Sequence, residues 1–339
     1  MTQPTVLITG ISGFIAKHCA IEMLNHGYRV RGTVRSSAKA DEVRATLAKY
    51  ADTSQLELVN ADLLADAGWA EACAGGAGVL HLASPFPVSD PKDPQELIRP
   101  AVDGSLRVLK AAIAAKVPRF VQTSSVVAVL GGHPRDRSSA FTEADWTVDG
   151  PDIGAYMRSK TLAERAARDY LTETGANIHY ASVNPGFVLG PLLDNDIGSS
   201  GEVIRMFLRG KYPGCPKLSF PVVDVRDIAL MHRLALETEQ PSGGRYLGVS
   251  GSAWFIDMMR PIKQKLGPAA RKVPSFELPN FMIRLVAQVD PAARGIVADL
   301  GHEVNIDNSL TRAALGISFR GVEESAPAMA ESLVALGLV

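Results

Sequence analysis

A glycine-rich turn directly after the first apolar run constrains the fold of this 339-residue chain more than any other feature. Val6-Leu7-Ile8 leads into TGISGFIA at positions 9–16, a GxxGxxA pattern that opens a helical stretch. Glycine lets the backbone turn tightly and approach a pyrophosphate, and the N-terminus of the following helix presents free N–H groups. A strand before the glycines and a helix after them predict a dinucleotide-binding turn rather than a purely structural one.

The first half of the chain continues this alternation of strand and helix. Apolar, β-rich runs predict six strands, at Thr5–Thr9, Tyr28–Val34, Leu56–Asn60, Gly78–Leu82, Arg119–Thr123 and Ile178–Val183. Helical patterns lie between them, at roughly 13–26, 38–49, 66–73, 94–116 and 153–174. We therefore expect an α/β fold, a doubly wound parallel sheet of the Rossmann type.

The regular alternation fades after Asn184-Pro185-Gly186. Two loop-rich stretches, 186–200 and 210–222, flank a short helix near 201–209, and a helix at 225–238 precedes a strand at Arg245–Val249. We interpret residues 1–185 as a Rossmann domain that binds the dinucleotide and 186–339 as a smaller, mostly helical substrate-binding lobe. Some segments of that lobe, such as 225–250, are expected to return to the first domain.

Charge and cysteine content exclude several classes of protein. With 35 Lys and Arg against 36 Asp and Glu, the net charge of −1 argues against nucleic acid or a membrane surface as a partner. Cys19, Cys73 and Cys215 have no metal-site spacing and cannot form a closed disulfide framework. No signal peptide is visible, and no apolar stretch reaches the roughly 18 residues of a spanning helix. We expect a cytoplasmic protein without a metal site, either a monomer or a homodimer.

The second strand indicates which dinucleotide binds. An NAD enzyme usually places an acidic residue about 20 positions beyond the glycines, at the end of this strand. No acidic residue lies between Glu22 and Asp41, and the same interval carries four cations, Arg29, Arg31, Arg35 and Lys39. Arg35, with help from Lys39, is predicted to hold the 2′-phosphate of NADPH or NADP⁺. The alternative is a solvated basic strand edge.

Two further strand ends are candidates for contact with the cofactor. Asp62, after the third strand, could lie near the adenine or could instead cap a helix. The fourth strand delivers Ala83-Ser84 in a bend of small residues suited to lying against the cofactor. His81, within that strand, is interpreted as a packed residue.

Three hydroxyl and amine side chains form a candidate catalytic group. Tyr156 and Lys160 are four residues apart, one turn along the same helix face. The fifth strand ends in Thr123-Ser124-Ser125, so its hydroxyls emerge at the carboxyl edge, where open α/β sheets bind ligands.

These features together resemble the extended short-chain dehydrogenase/reductase family. The resemblance is to its branch of dihydroflavonol reductases, cinnamoyl-CoA reductases and NADPH-dependent aldehyde/methylglyoxal reductases. Further matching segments are 82–86, 100–104, 183–185, 190–191, 223–227 and the tail 307–316. By position, Ser125 is similar to the family's catalytic serine, Tyr156 to its acid and Lys160 to its lysine. Many extended members carry Asn on a helix where this chain has Ala101, so a proton relay through that position is not implied.

The resemblance implies NADPH-dependent reduction of aldehydes or ketones to alcohols. Tyr156 would act as general acid, with its pKa lowered by the Lys160 cation, and Ser125 would hold the carbonyl oxygen. The expected cofactor-binding residues are Gly10, Ser12, Gly13, Phe14, Ile15, Arg35, Lys39, Asp62, Leu63, Ala83, Ser84, Tyr156, Lys160, Pro185 and Val188. The expected substrate pocket is formed by the apolar run 126–130, the loop 186–193 and Phe86, with Phe86, Val126, Gly186 and Phe187 as its named residues.

Two alternatives to a small-carbonyl reductase remain. A dihydroflavonol- or cinnamoyl-CoA-type reductase would use the same residues on a bulkier substrate. A non-catalytic NADP-sensing regulator would keep the glycine turn but would not need Tyr156 and Lys160, and both are present.

Overall fold

A computed structural model of the protein describes residues 3–84, 93–135, 137–150 and 153–339. Its strands are β1 (Thr5–Thr9), β2 (Arg29–Val34), β3 (Leu56–Asn60), β4 (Gly78–His81), β5 (Arg119–Thr123), β6 (His179–Pro185), β7 (Phe187–Leu189), β8 (Ser219–Asp224), β9 (Gly244–Gly248) and β10 (Gly251–Trp254). Seven of them form one parallel sheet in the order β3-β2-β1-β4-β5-β6-β9. The order reverses beside β1, and ligands of doubly wound folds bind at such a reversal.

Helices cover both faces of this sheet. The α-helices of the described residues are α1 (Phe14–Asn25), α2 (Ser37–Leu47), α3 (Trp69–Cys73), α4 (Gln95–Ala114), α5 (Val127–Leu130), α6 (Ala155–Thr174), α7 (Gly198–Leu208), α8 (Val225–Glu237), α9 (Phe255–Leu266), α10 (Asn280–Val286), α11 (Pro291–Ile296), α12 (Ser309–Leu315) and α13 (Val322–Ala335). Among the described residues, no helix combines the length and the apolarity needed to cross a bilayer.

The first strand shows why its apolar run is continuous. Val6 and Ile8 belong to the core on the side of α1 and α8, whereas Leu7 belongs to a second core under α4 and α6. Successive strand residues point to opposite faces, so a strand buried on both sides must be apolar at every position. The expected Rossmann-type sheet is confirmed.

A second sheet lies outside the predicted elements. It has the order β10-β8-β7, with β7 parallel and β10 antiparallel to β8. The interpretation of 186–200 and 210–222 as loops is therefore wrong where β7 and β8 form. β7 has three residues and pairs with a strand more than thirty positions away, so no local periodicity reveals it.

The chain returns to the large sheet after this excursion. β9 pairs with β6 as the seventh strand, and α8 packs against α1 and β6. The segment 225–250 thus contributes to the same layers as the first half of the chain. The division into two domains at residue 185 stays a prediction.

Candidate active site

A cleft of about 990 Å³ opens along the carboxyl edge of the large sheet. The predicted site residues that line it are Gly10, Gly13, Phe14, Ile15, Ser84, Ser125, Val126, Tyr156, Lys160, Pro185, Gly186, Phe187 and Val188. The cleft lining does not include Ser12, Arg35, Lys39, Asp62, Leu63 or Ala83. Phe86 lies outside the described residues.

The glycine turn leaves no space for a side chain at its first position. Gly10 has φ +63°, and a Cβ there would lie 3.0 Å from the Cα and Cβ of Ala83. Gly13 precedes α1, whose N-terminus has no hydrogen bond from a capping side chain. A tight turn followed by an uncapped helix N-terminus fits the phosphates of a dinucleotide.

Thr9 fixes the bend at the end of β4 against this turn. Its Oγ1 accepts the N–H groups of Leu82 and Ala83 at 3.0 and 2.9 Å and donates to His81 Nδ1 at 2.9 Å. His81 is buried, and burial lowers its pKa to about 3, with a smaller contribution from the Lys160 cation. His81 is therefore a neutral, packed strand residue.

The basic interval around β2 divides into engaged and exposed cations. Arg31 pairs with Glu57 at 2.8 Å and donates to the backbone carbonyls of three residues near the end of α3. Lys39 pairs with Glu42 at 2.8 Å. Arg35 is exposed directly after β2, and within the described ranges its side chain makes no ion pair. Arg35 is thus the better placed of the two cations predicted to meet a phosphate.

Asp62 forms a local turn after β3. Its Oδ1 accepts the N–H of Leu64 at 2.9 Å, while α3 begins only at Trp69. The helix-cap interpretation of Asp62 is therefore wrong for α3, because the aspartate caps a turn that lies several residues before the helix. Contact with an adenine stays a prediction.

The catalytic candidates meet between β5 and α6. Ser125 and Tyr156 both line the cleft, and the Ser125 hydroxyl donates to the carbonyl of Pro185 at 3.5 Å. Two backbone bonds hold the serine segment on β6, from Ser124 N to Val183 O at 2.8 Å and from Val126 N to Pro185 O at 3.0 Å. The structure therefore brings together a serine from a strand end and a tyrosine from a helix.

Burial acts in opposite directions on the two titratable groups. Burial raises the pKa of Tyr156, and the hydrogen bond from Ser125 lowers it by less. Burial lowers the pKa of Lys160 to about 8. The expected lowering of the Tyr156 pKa by the Lys160 cation is therefore wrong in this structure, because desolvation of the phenolate outweighs the opposing effect of Ser125. A phenol that keeps its proton at neutral pH is suited to donate one.

Lys160 Nζ has a position compatible with a ligand contact. Within the part of the chain that the structure describes, Lys160 Nζ makes no hydrogen bond or ion pair with a side chain or a carbonyl. Its ammonium lines the cleft beside Tyr156.

Apolar side chains from several elements line the cleft. Val126, Val127 and Leu130 line it, whereas Ala128 and Val129 are fully buried, so the run 126–130 is partly core. Phe187 and Phe220 stand with their ring centroids 5.4 Å apart. Residue-level reasoning missed Met157, Leu218, Phe220, Ile296 and Val304. Met157 is adjacent to Tyr156, but the others come from distant elements and carry no local signal.

No group of three or more potential metal ligands occurs among the described residues.

A doubly wound parallel sheet, a glycine turn and a Ser/Tyr/Lys group in one cleft define an oxidoreductase that binds a nicotinamide dinucleotide. The chain belongs to the NAD dependent epimerase/dehydratase family, whose profile matches residues 6–247, and thus to the extended short-chain dehydrogenases/reductases.

Proteins with similar sequences and structures include several reductases. A cinnamoyl-CoA reductase of Medicago truncatula is 35% identical over 282 residues, covering 81% of this chain and 82% of that protein. Aldehyde reductase 2 of Sporidiobolus salmonicolor is 33% identical over 267 residues, covering 73% and 77%. The yeast methylglyoxal/isovaleraldehyde reductase Gre2, complexed with NADPH, superposes with a TM-score of 0.81 at 25% identity, covering 99% of this chain and 100% of that one.

Proposed function

We propose that the protein reduces aldehydes and ketones to alcohols, with NADPH as the hydride donor. The observation that carries this proposal is the meeting of Ser125, Tyr156 and Lys160 in one cleft, which is continuous with the glycine turn. A reductase of this kind needs a hydrogen-bond donor to the carbonyl oxygen, a proton donor and a dinucleotide site within reach of one another.

The charge at the end of β2 supports NADPH over NADH. Arg35 is exposed there, and no carboxylate lies between Glu22 and Asp41 to bond a free ribose hydroxyl. The solved structure of yeast Gre2 is a complex with NADPH. In this chain, the glycine turn and the N-terminus of α1 would hold the phosphates, and Arg35 would hold the 2′-phosphate.

The side chains of the cleft divide the chemistry between them. Bound NADPH supplies the hydride to the carbonyl carbon. Ser125 donates a hydrogen bond to the carbonyl oxygen and favours the negative charge that develops there. Tyr156 transfers its phenolic proton to that oxygen, so the C=O double bond becomes a CH–OH group. Lys160 would contribute a cation beside the phenol and would bond the ribose of the nicotinamide.

The pocket supports a substrate with an apolar substituent. Phe187, Phe220 and Met157 line the space beside Tyr156. The names of the relatives include reductases of aldehydes and of methylglyoxal/isovaleraldehyde. A bulkier substrate of the cinnamoyl-CoA type is the second candidate, favoured by the 35% identity to the Medicago enzyme.

A substrate panel with matched tyrosine variants tests the proposal. We expect the purified protein to oxidise NADPH with aldehydes, diketones, β-keto esters or flavanonols, and to use NADH much more slowly. Tyr156→Phe removes the proton donor and should lower kcat by at least ~10²-fold, the low end for general acid catalysis. NADPH binding, followed by fluorescence titration, should persist in this variant.

Tyr170→Phe is the control, since Tyr170 lies on the same helix but outside the cleft. It should leave kcat unchanged. Near-normal turnover by Tyr156→Phe would refute the catalytic assignment, and equal use of NADH and NADPH would refute the assignment of Arg35.

A further inference from the structure

A buried carboxylate lies one helical turn beyond the catalytic lysine. Glu164 is on α6, four residues after Lys160 and eight after Tyr156, and its relative exposure is 0%. Residues four apart lie on the same face of a helix, so Glu164 continues the line of the two catalytic candidates toward the sheet. Burial of a carboxylate is costly unless the group is paired and hydrogen-bonded.

Donors from three strand segments converge on this carboxylate. Oε2 accepts the Ser124 hydroxyl at 2.6 Å and Asn184 Nδ2 at 2.9 Å. Oε1 accepts Arg245 Nε at 2.8 Å and the Ser182 hydroxyl at 2.9 Å. Glu164 therefore links α6 to the end of β5, to β6 and to β9.

The arginines keep the carboxylate ionised. Burial alone would raise the pKa of Glu164, but the cations of Arg245 and Arg168 and the bonds from Ser124 and Asn184 hold it below its usual value. Arg245 also donates to the carbonyl of Ala128 at 3.0 Å. Arg245 therefore joins the Glu164 carboxylate to α5 as well as to β9.

The amide of Asn184 connects the carboxylate to the catalytic serine. Its Nδ2 donates both to Glu164 and to the backbone carbonyl of Ser125, at 3.2 Å. In this orientation Asn184 Oδ1 is buried without a hydrogen-bond partner among the described residues. Because an unpaired buried acceptor is unfavourable, the orientation must be dictated by the two acceptors that Nδ2 serves.

We propose that Glu164 is a positioning residue, which holds the Ser125 hydroxyl next to the Tyr156 phenol. Tyr156 comes from α6 and Ser125 from the end of β5, so their separation depends on a link between these two elements. Glu164 is on the same helix as Tyr156 and reaches the serine segment directly through Ser124 and indirectly through Asn184. The proposal rests on the proposed function, in which Ser125 and Tyr156 act on one carbonyl oxygen.

A double-mutant cycle tests this role. Glu164→Gln keeps the size of the side chain and removes its charge. We expect kcat to fall about 10- to 100-fold, since a displacement of ~1 Å can cost ~10²-fold, while the Kd of NADPH stays unchanged. In a Ser125→Ala background the same substitution should cost little more, because the serine through which Glu164 acts is absent. Penalties of independent residues would instead multiply.

Asp227→Asn is the matched control. Asp227 is a similarly buried carboxylate on α8, paired with Arg320 outside the cleft. Its effect on kcat should be the same with and without Ser125. Thermal melting establishes that each variant folds. If Glu164→Gln fails to fold, Ser124→Ala is the substitute, because it removes one hydrogen bond to the carboxylate. Its fold loss in kcat must likewise be much smaller in a Ser125→Ala background than in the wild-type protein.

Two results would overturn the proposal. One is a double variant, still active, whose loss in kcat equals the product of the losses caused by Glu164→Gln and Ser125→Ala separately. The other is a pair of crystal structures, of wild type and of Glu164→Gln, in which the distance between the Ser125 and Tyr156 hydroxyls is the same; a longer distance in the variant would support the proposal. The crystal structure decides the question even if the wild-type protein reduces no carbonyl compound, a result that would refute the proposed function by itself.

Discussion

At the scale of single residues, burial sets the protonation of the cleft near neutrality. The pKa of Tyr156 is raised, so its phenol keeps the proton that it is proposed to donate. The pKa of Lys160 is lowered to about 8, so its ammonium is still mostly charged at pH 7. Of these two groups, the lysine is the one that titrates within the range in which enzymes are usually assayed.

A loss of activity above pH 8 should follow from this titration. Lys160 is a cation below its pKa and neutral above it, so kcat/KM for NADPH should fall as pH rises through about 8. Lys160→Arg keeps the positive charge to much higher pH, and it should move this limb upward by at least ~2 pH units. Steady-state rates over a range of buffers measure the effect.

Lys110→Arg, on the exposed face of α4, is the control and should leave the profile unchanged. A limb at the same pH in wild type and Lys160→Arg would assign the titration to another group.

At the scale of elements, two exposed arginines mark the opposite ends of β2. Arg29 starts the strand and Arg35 directly follows it at the carboxyl edge. Arg35→Ala should raise the KM of NADPH by about 10- to 100-fold, the loss expected for hydrogen bonds to a charged group, and leave that of NADH unchanged. Arg29→Ala should change neither. Similar effects of the two substitutions on NADPH would contradict a phosphate site at the carboxyl edge.

The strands of the large sheet could be predicted because each is a self-contained apolar run. The bounds of β1, β3 and β5 coincide with those predicted, at Thr5–Thr9, Leu56–Asn60 and Arg119–Thr123. The glycine turn and the one-turn spacing of Tyr156 and Lys160 are likewise local patterns. Proximity in the chain is enough to reveal such features.

The remaining features depend on contacts between distant segments. Arg31 is one of the four cations in the basic interval, and its partner Glu57 lies on the neighbouring strand β3. Glu164 and Arg245 are 81 positions apart, and no spacing rule connects them. Helical periodicity could nevertheless have pointed to Glu164, because it lies four residues after Lys160 on the same helix.

At the scale of the whole molecule, three buried histidines link folding to pH. Burial lowers the pKa of His18, His81 and His232 to about 4, 3 and 4. Below about pH 6.5 the unfolded chain binds protons at these positions that the native protein does not bind. The free energy of unfolding should therefore decrease as pH falls from about 7.5 to about 5.5, a window above the usual carboxylate range.

Urea denaturation across this window measures the slope. His232→Gln removes one of the three titrations and should reduce the slope by about a third. His302→Gln replaces an exposed histidine and should not change it. A flat dependence in the wild-type protein would mean that the buried histidines are protonated in the native state.

The position of β9 as the last strand of the sheet has a consequence for how the protein is made. Arg245, on this strand, reaches Glu164 on α6 only after the intervening residues 186–243 have left the ribosome. Until then the Glu164 carboxylate lacks one of its two cations, and one edge of β6 has no neighbouring strand. The nascent first half of the chain is thus an incomplete folding unit, and a gene truncated after residue 185 should yield a product that depends on chaperones.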